Sequence, residues 1–128
     1  MPDDLTYTII GCAMKVHSKL GPGLLESVYQ KALMIELDNA CLLAEEEVPL
    51  EITYDDQNLG VGFRMDILVE NKVILELKSV SALEKVHFKQ LQTYLKLANK
   101  PLGYLINFNA ESLRIGYEIN RITNINYK

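Results

Sequence analysis

No stretch of this sequence approaches the ~20 consecutive apolar residues that a membrane-spanning helix needs. The N-terminus, Met1-Pro2-Asp3-Asp4, has neither the basic region nor the apolar core of a secretory signal, so a cytoplasmic location is the expectation. Cysteine is scarce. Cys12 and Cys41 are the only two, and neither lies in a Cys-x-x-Cys or Cys/His metal pattern. Both read as reduced, partly buried thiols, because free cysteine mostly behaves as a small hydrophobe. A surplus of positive charge is also missing: thirteen Lys and Arg against seventeen Asp and Glu give a net charge of −4 and a pI near 5.2. That counts against a protein that coats nucleic acid without specificity, which neutralises phosphates with surplus Lys and Arg. It leaves room for a local basic groove, or for a metal that supplies the positive charge. There is no repeat, low-complexity tract or linker, and 128 residues, 48% of them hydrophobic and 23% charged, fit a single globular domain spanning 1–128.

What is present is a clear order of elements. Ile9, Ile10, Ala13, Val16, His17 and Leu20 recur at helical spacing, which predicts a first helix over 5–20, ended by Gly21-Pro22-Gly23. A second helix over 24–40 carries the stripe Leu25, Val28, Tyr29, Ala32, Leu33 and Leu37. Residues 48–54 alternate as a strand and are closed by the turn cluster Asp55-Asp56-Gln57-Asn58. Strands over 61–69 and 73–80 follow, then a third helix over 82–99 with Ser81 and Glu84 as a capping box. Pro101 marks its end; short strands are expected at 104–108 and 113–117, and fraying from Asn124.

The two middle strands carry the chemistry. In 61–69, Phe63, Met65, Ile67 and Val69 share one side, and Arg64, Asp66 and Leu68 the other. In 73–80, Val73, Leu75 and Leu77 oppose Ile74, Glu76 and Lys78. Matching the apolar faces puts Val69 opposite Val73, Ile67 opposite Leu75 and Met65 opposite Leu77, leaving Glu70-Asn71-Lys72 as the loop. Asn71 tolerates the left-handed conformation such loops need. The same register sets Asp66 directly opposite Glu76, with Cβ atoms about 4.5–5.5 Å apart. Two carboxylates that close repel unless a proton or a cation sits between them. A hard divalent cation fits, since Mg²⁺ typically takes one or two carboxylates plus phosphate and water. Lys78 points to the same face, within reach of an attacking water or a phosphate oxygen. Arg64 falls opposite Lys78, a like-charge pair that the carboxylates or a bound phosphate would relieve. The plain alternative is a solvated outer face with ordinary salt bridges.

On the third helix, Leu83, His87, Gln90, Leu91, Tyr94, Leu95 and Ala98 share a face. His87 and Gln90 are polar interruptions of it, and Tyr94 lies one turn after Gln90. If this stripe packs near Glu76 and Lys78, Gln90 and Tyr94 reach the same pocket. The competing readings are a boundary histidine and a core tyrosine with its hydroxyl at the rim. Glu26, in the first turn of the second helix, is explained by the helix dipole. Glu36 reads either as a second polar contact or as a boundary salt bridge, and His17 as a boundary residue.

Gly23-Leu24-Leu25-Glu26-Ser27-Val28-Tyr29 resembles the signature of the GxxExxY proteins. The resemblance runs on through Arg64-Met65-Asp66-Ile67-Leu68-Val69, Glu76-Leu77-Lys78, Gln90-Leu91-Gln92-Thr93-Tyr94-Leu95 and Gly103-Tyr104-Leu105-Ile106-Asn107-Phe108, from about His17 to Ile122. Each motif alone is weak; their order and spacing are specific. That family is a compact branch of the PD-(D/E)XK nucleases. The resemblance implies a restriction-endonuclease-like core, an α/β (α+β) fold with a mixed sheet flanked by helices. Asp66 stands for the motif aspartate and Glu76-Leu77-Lys78 for the (D/E)XK tripeptide. Gln90 and Tyr94 match the QxxxY element of the RecB-like branch, and Glu26 matches the acidic residue of the first core helix. Met65 replaces the usual proline, Cys41 stands where a glycine is expected, and Glu47 where a glutamine is expected.

The implied activity is Mg²⁺- or Mn²⁺-dependent hydrolysis of phosphodiester bonds. Asp66, Glu76, the Leu77 carbonyl and Glu26 are the expected metal ligands; Lys78, Gln90 and Tyr94 complete the catalytic set; Arg64 and His87 are the expected substrate contacts. The partner is nucleic acid, DNA ahead of RNA, and the protein is a monomer or a homodimer. Two alternatives stay open: a non-catalytic binding or regulatory module that keeps a nuclease fold, and a dimeric resolvase of branched DNA.

Overall fold

The computed structural model describes residues 4–128. Its elements are α1 (Asp4–Leu20), α2 (Glu26–Asn39), β1 (Ala44–Tyr54), β2 (Gln57–Val69), β3 (Val73–Lys78), α3 (Lys85–Ala98), β4 (Leu102–Asn107) and β5 (Ile119–Thr123). The strands form one mixed sheet in chain order. β3 and β4 are parallel, which requires a crossover, and α3 supplies it; the other neighbours are antiparallel. Among the described residues no helix is long and apolar enough to cross a membrane.

Helices cover the sheet on both faces. Ile9, Ala13 and Val16 of α1 and Tyr29, Leu33 and Leu37 of α2 pack on Ile67, Leu75, Leu77 and Ile106. Leu91 and Leu95 of α3 pack on Leu68, Ile74 and Leu105 from the other side. β4 is therefore buried along its whole length, as a doubly covered central strand should be. Gly103 marks the closest approach of α3: a Cβ there would lie 3.0 Å from Leu91 Cδ1 and 3.2 Å from the Ile74 carbonyl oxygen. Leu91 is fully buried and has nowhere to move. Gly103→Ala is expected to cost about 1–3 kcal/mol by overpacking, read as a lower urea midpoint at unchanged slope.

Several boundaries differ from the sequence expectation. α2 starts at Glu26 and not 24, β3 ends at Lys78 and not 80, and β4 starts at Leu102 and not 104. β2 starts at Gln57 and not 61: the tight turn is Asp55-Asp56, both at positive φ, while Gln57 and Asn58 pair with Tyr54 and Thr53. β1 starts at Ala44, before the expected 48, because Glu46 of the acidic run is only half-buried and is held by Lys31 at 2.7 Å and Gln30 at 3.2 Å. α3 starts at Lys85: His87 Nδ1 accepts the Glu84 N–H at 2.9 Å, so the capping pair lies three residues beyond Ser81 and Glu84. Residues 113–117 are not a named strand. Gly116 has φ +91°, and the Arg114 carbonyl accepts the N–H groups of Tyr117, Glu118 and Ile119, so this segment turns and the strand follows at 119–123. Asn124, expected to fray, is buried and donates to the Leu95 and Lys100 carbonyls at 3.0 and 2.9 Å. It pins the chain end to the C-terminus of α3. Of the two free thiols, Cys12 is buried as expected and Cys41 is exposed.

Candidate active site

The β2–β3 register is the expected one at Val69/Val73, Leu68/Ile74 and Ile67/Leu75, and there the regular pairing stops. At the next level the side chains take over from the ladder. The Asp66 N–H donates to Glu76 Oε1 at 3.2 Å, and the Leu77 N–H donates to Asp66 Oδ2 at 2.9 Å. Asp66 and Glu76 thus meet across the gap, each carboxylate satisfying the other strand's backbone. The expected Met65/Leu77 pairing does not form. Met65 and Phe63 join the cluster under α3, whereas Ile67, Val69 and Leu77 belong to the α1/α2 side. The change of face occurs where Glu47 of β1, in the left-handed region at φ +53°, lies between the pairs Glu46/Ile67 and Val48/Met65. Arg64, past this point, pairs with Pro49 and is exposed, so it does not oppose Lys78.

Glu76 is buried and Asp66 is half-buried. Glu76 is 6% exposed, and burial followed by the neighbouring Asp66 charge pushes its carboxyl up to about 8. Burial also raises Asp66; the Leu77 N–H and Lys78 oppose the rise, and Glu47 and Glu26 add to it. Lys78 is thus the cation whose charge acts on both, and it does not balance them. Tyr94 is raised by burial and then by the charges of Glu76 and Asp66, which puts its hydroxyl in the field of the pair. Its ring stacks on Phe63 at 3.9 Å, fixing that flank of α3 to β2.

A family model described as the PD-(D/E)XK nuclease superfamily matches residues 3–122. This chain belongs to that superfamily. No curated protein and no solved structure matches it significantly. The mixed sheet between two helical layers is the restriction-endonuclease-like core of a PD-(D/E)XK nuclease, and a nuclease-type function on nucleic acid follows from the membership. The parted strands that hold Asp66 and Glu76 lie inside the matched region.

In this nuclease domain Glu26 is the first residue of α2 and is exposed, and its charge acts on both Asp66 and Glu76. Of the residues that deliver it there, the sequence reads Tyr29 only as part of an apolar stripe, and Ser79 and Asn107 only as strand positions. Tyr29 is fully buried and stacked on Phe108 at 4.6 Å. Its hydroxyl donates to the Gly21 carbonyl at 2.6 Å and accepts the Leu24 N–H at 3.2 Å. Ser79, next to Lys78, donates to the Leu24 carbonyl at 2.6 Å. Asn107 brackets Val80, accepting its N–H at 3.1 Å and donating to its carbonyl at 3.0 Å. Together they tie the 21–25 loop to the exit of β3. Tyr29→Phe leaves that loop without its central bond and is expected to cost about 1–3 kcal/mol by urea unfolding.

The remaining expected site residues are spread more widely. Gln90 is exposed on α3 rather than embedded in its apolar stripe, and His87 is half-buried with its Nδ1 occupied by the helix start. Glu36 is a boundary salt bridge, with Lys19 at 3.1 Å and Lys15 at 3.8 Å. His17, expected at the boundary, is buried, and its Nε2 lies 2.6 Å from the Ala110 carbonyl oxygen. Among the described residues no three His, Cys, Asp or Glu side chains converge tightly enough to fill a metal's shell alone. The donor chemistry still fits Mg²⁺ or Mn²⁺: a buried and a half-buried carboxylate beside one lysine suit a hard cation, and Mg²⁺ keeps several waters.

Proposed function

We propose that this protein is a Mg²⁺- or Mn²⁺-dependent nuclease hydrolysing phosphodiester bonds, with DNA ahead of RNA as substrate, of the GxxExxY type and cytoplasmic. The observation that carries the reading is the Asp66–Glu76 pair, half-buried and buried, at the point where β2 and β3 part, with Lys78 beside it. Asp66 and Glu76 would hold the cation, helped by the Leu77 carbonyl and by Glu26, directly or through water. A bound divalent ion would polarise the scissile phosphate and acidify a bound water. Lys78 orients the attacking water and offsets charge that develops on the phosphate. Tyr94 and Gln90 steady the site from α3, and Arg64 and His87 contact the substrate away from the reacting atoms. The test is a cleavage panel of single- and double-stranded DNA and RNA with Mg²⁺, Mn²⁺ or EDTA, run beside Lys78→Ala. Cleavage that persists in EDTA, or that Lys78→Ala leaves intact, would sink the reading.

A further inference from the structure

The acidic net charge is not spread evenly. From Lys85 to Ala110 the chain has four lysines and no acidic residue, and from Ile119 onward it has Arg121 and Lys128 and again none; all seventeen acidic residues lie elsewhere. Lys15, Lys19, Lys31 and Arg114 are bound to carboxylates, whereas among the described residues Lys85, Lys89 and Lys96 of α3 form no ion pair. These three recur with Gln92 at i, i+4, i+7 and i+11, a single exposed stripe about 16 Å long at 1.5 Å per residue. Lys89, Gln92 and Lys96 also line a cleft of about 390 Å³ whose other wall is the chain end, Thr123 to Asn126. That wall is rigid, because Asn124 is anchored to the Leu95 and Lys100 carbonyls. The cleft presents ammonium, amide and hydroxyl groups and no carboxylate.

We infer that the cleft between α3 and the C-terminal tail binds the phosphate backbone of a nucleic-acid strand, as a contact separate from the Asp66–Glu76 site. Tyr94 and Gln90 lie on the opposite flank of α3, where Tyr94 stacks on Phe63 of β2. The cleft therefore holds a part of the substrate remote from the bond to be cut. This rests on the nuclease reading for its choice of polyanion; a phosphate backbone is the ligand that such a row of free lysines and neutral donors fits. It also answers the charge objection: the binding surface is local, and the rest of the molecule carries the acid.

The experiment measures binding in EDTA, so that its outcome does not depend on cleavage. Labelled 20-nucleotide single strands and 20-base-pair duplexes are titrated with the full chain at several salt concentrations. Lys89→Glu, Lys96→Glu and their double variant are compared with Lys72→Glu, which makes the same charge change in the β2–β3 turn. The double variant is expected to bind about tenfold or more weakly, and Lys89→Gln/Lys96→Gln to lower the salt slope by about two, one per phosphate contact. The glutamine pair also keeps the test valid if reversed charge disturbs folding. Cleavage of a dinucleotide should be unchanged. Binding equal to that of Lys72→Glu, or no nucleic-acid binding by the wild type at low salt, overturns the inference. Intact cleavage alongside unchanged binding would reject the cleft and leave the nuclease reading standing.

Discussion

Asp66→Asn is expected to lower metal-dependent cleavage by at least about a thousandfold, with the fold intact. The substitution is chosen for its geometry. An asparagine Oδ1 can keep the bond from the Leu77 N–H, now 2.9 Å from Asp66 Oδ2, so the parted strands stay bridged. What disappears is one of the two charges that would hold the cation, and metal-site chemistry of this kind depends on that charge. Lys78→Ala should cost about 10²–10³-fold in turnover, the usual scale for one lost electrostatic contact to a transition state, while metal affinity changes little. Single-turnover cleavage with circular dichroism on the same samples checks both. Wild-type rates in Asp66→Asn would remove the pair from the reaction and favour a binding or regulatory module on a nuclease fold.

Much of this site was legible in the sequence because strand periodicity has only two faces. Alternation in 61–69 and 73–78 left one register that buries both apolar sets, and that register is present from Val69/Val73 to Ile67/Leu75. Periodicity says nothing about where a ladder opens. The parting at Asp66, and the change of face that sends Met65 under α3, coincide with a left-handed Glu47 on the neighbouring strand β1, opposite Asp66. Two of the three departures from the family pattern, Cys41 and Glu47, sit at positive φ, +62° and +53°, which accounts for a glycine preference at the first. β5 was misplaced for a related reason. Ile119 packs toward α1 and α2 and Ile122 toward α3, so its apolar spacing is three, not two. Tyr29 shows the limit of reading stripes: it is core by position, yet its hydroxyl organises the loop that presents Glu26.

Without metal, the protein is expected to lose stability as pH rises from about 5 to 8. The folded Glu76 carboxyl sits at about 8, above its ordinary 4.5, because burial and then Asp66 disfavour its charge. An acid raised on folding binds its proton more tightly in the folded state. Its stabilising contribution is therefore complete below the unfolded value and is lost as pH climbs through the folded one. Each proton so linked gives a slope of up to about 1.4 kcal/mol per pH unit, so the loss across this window is of the order of a few kcal/mol. Asp66, raised in the same direction, adds to the loss. Glu76→Gln keeps an oxygen that can accept the Asp66 N–H and removes the titration. In EDTA it should be flatter across the window and more stable than wild type at pH 8. Mg²⁺ should reverse that order at pH 8, since it binds the ionised pair and stabilises only the wild type. Urea midpoints at pH 5 and 8, with EDTA and with Mg²⁺, decide it. A flat metal-free profile in the wild type would mean the two carboxylates are already compensated, and the case for a cation between β2 and β3 would fail.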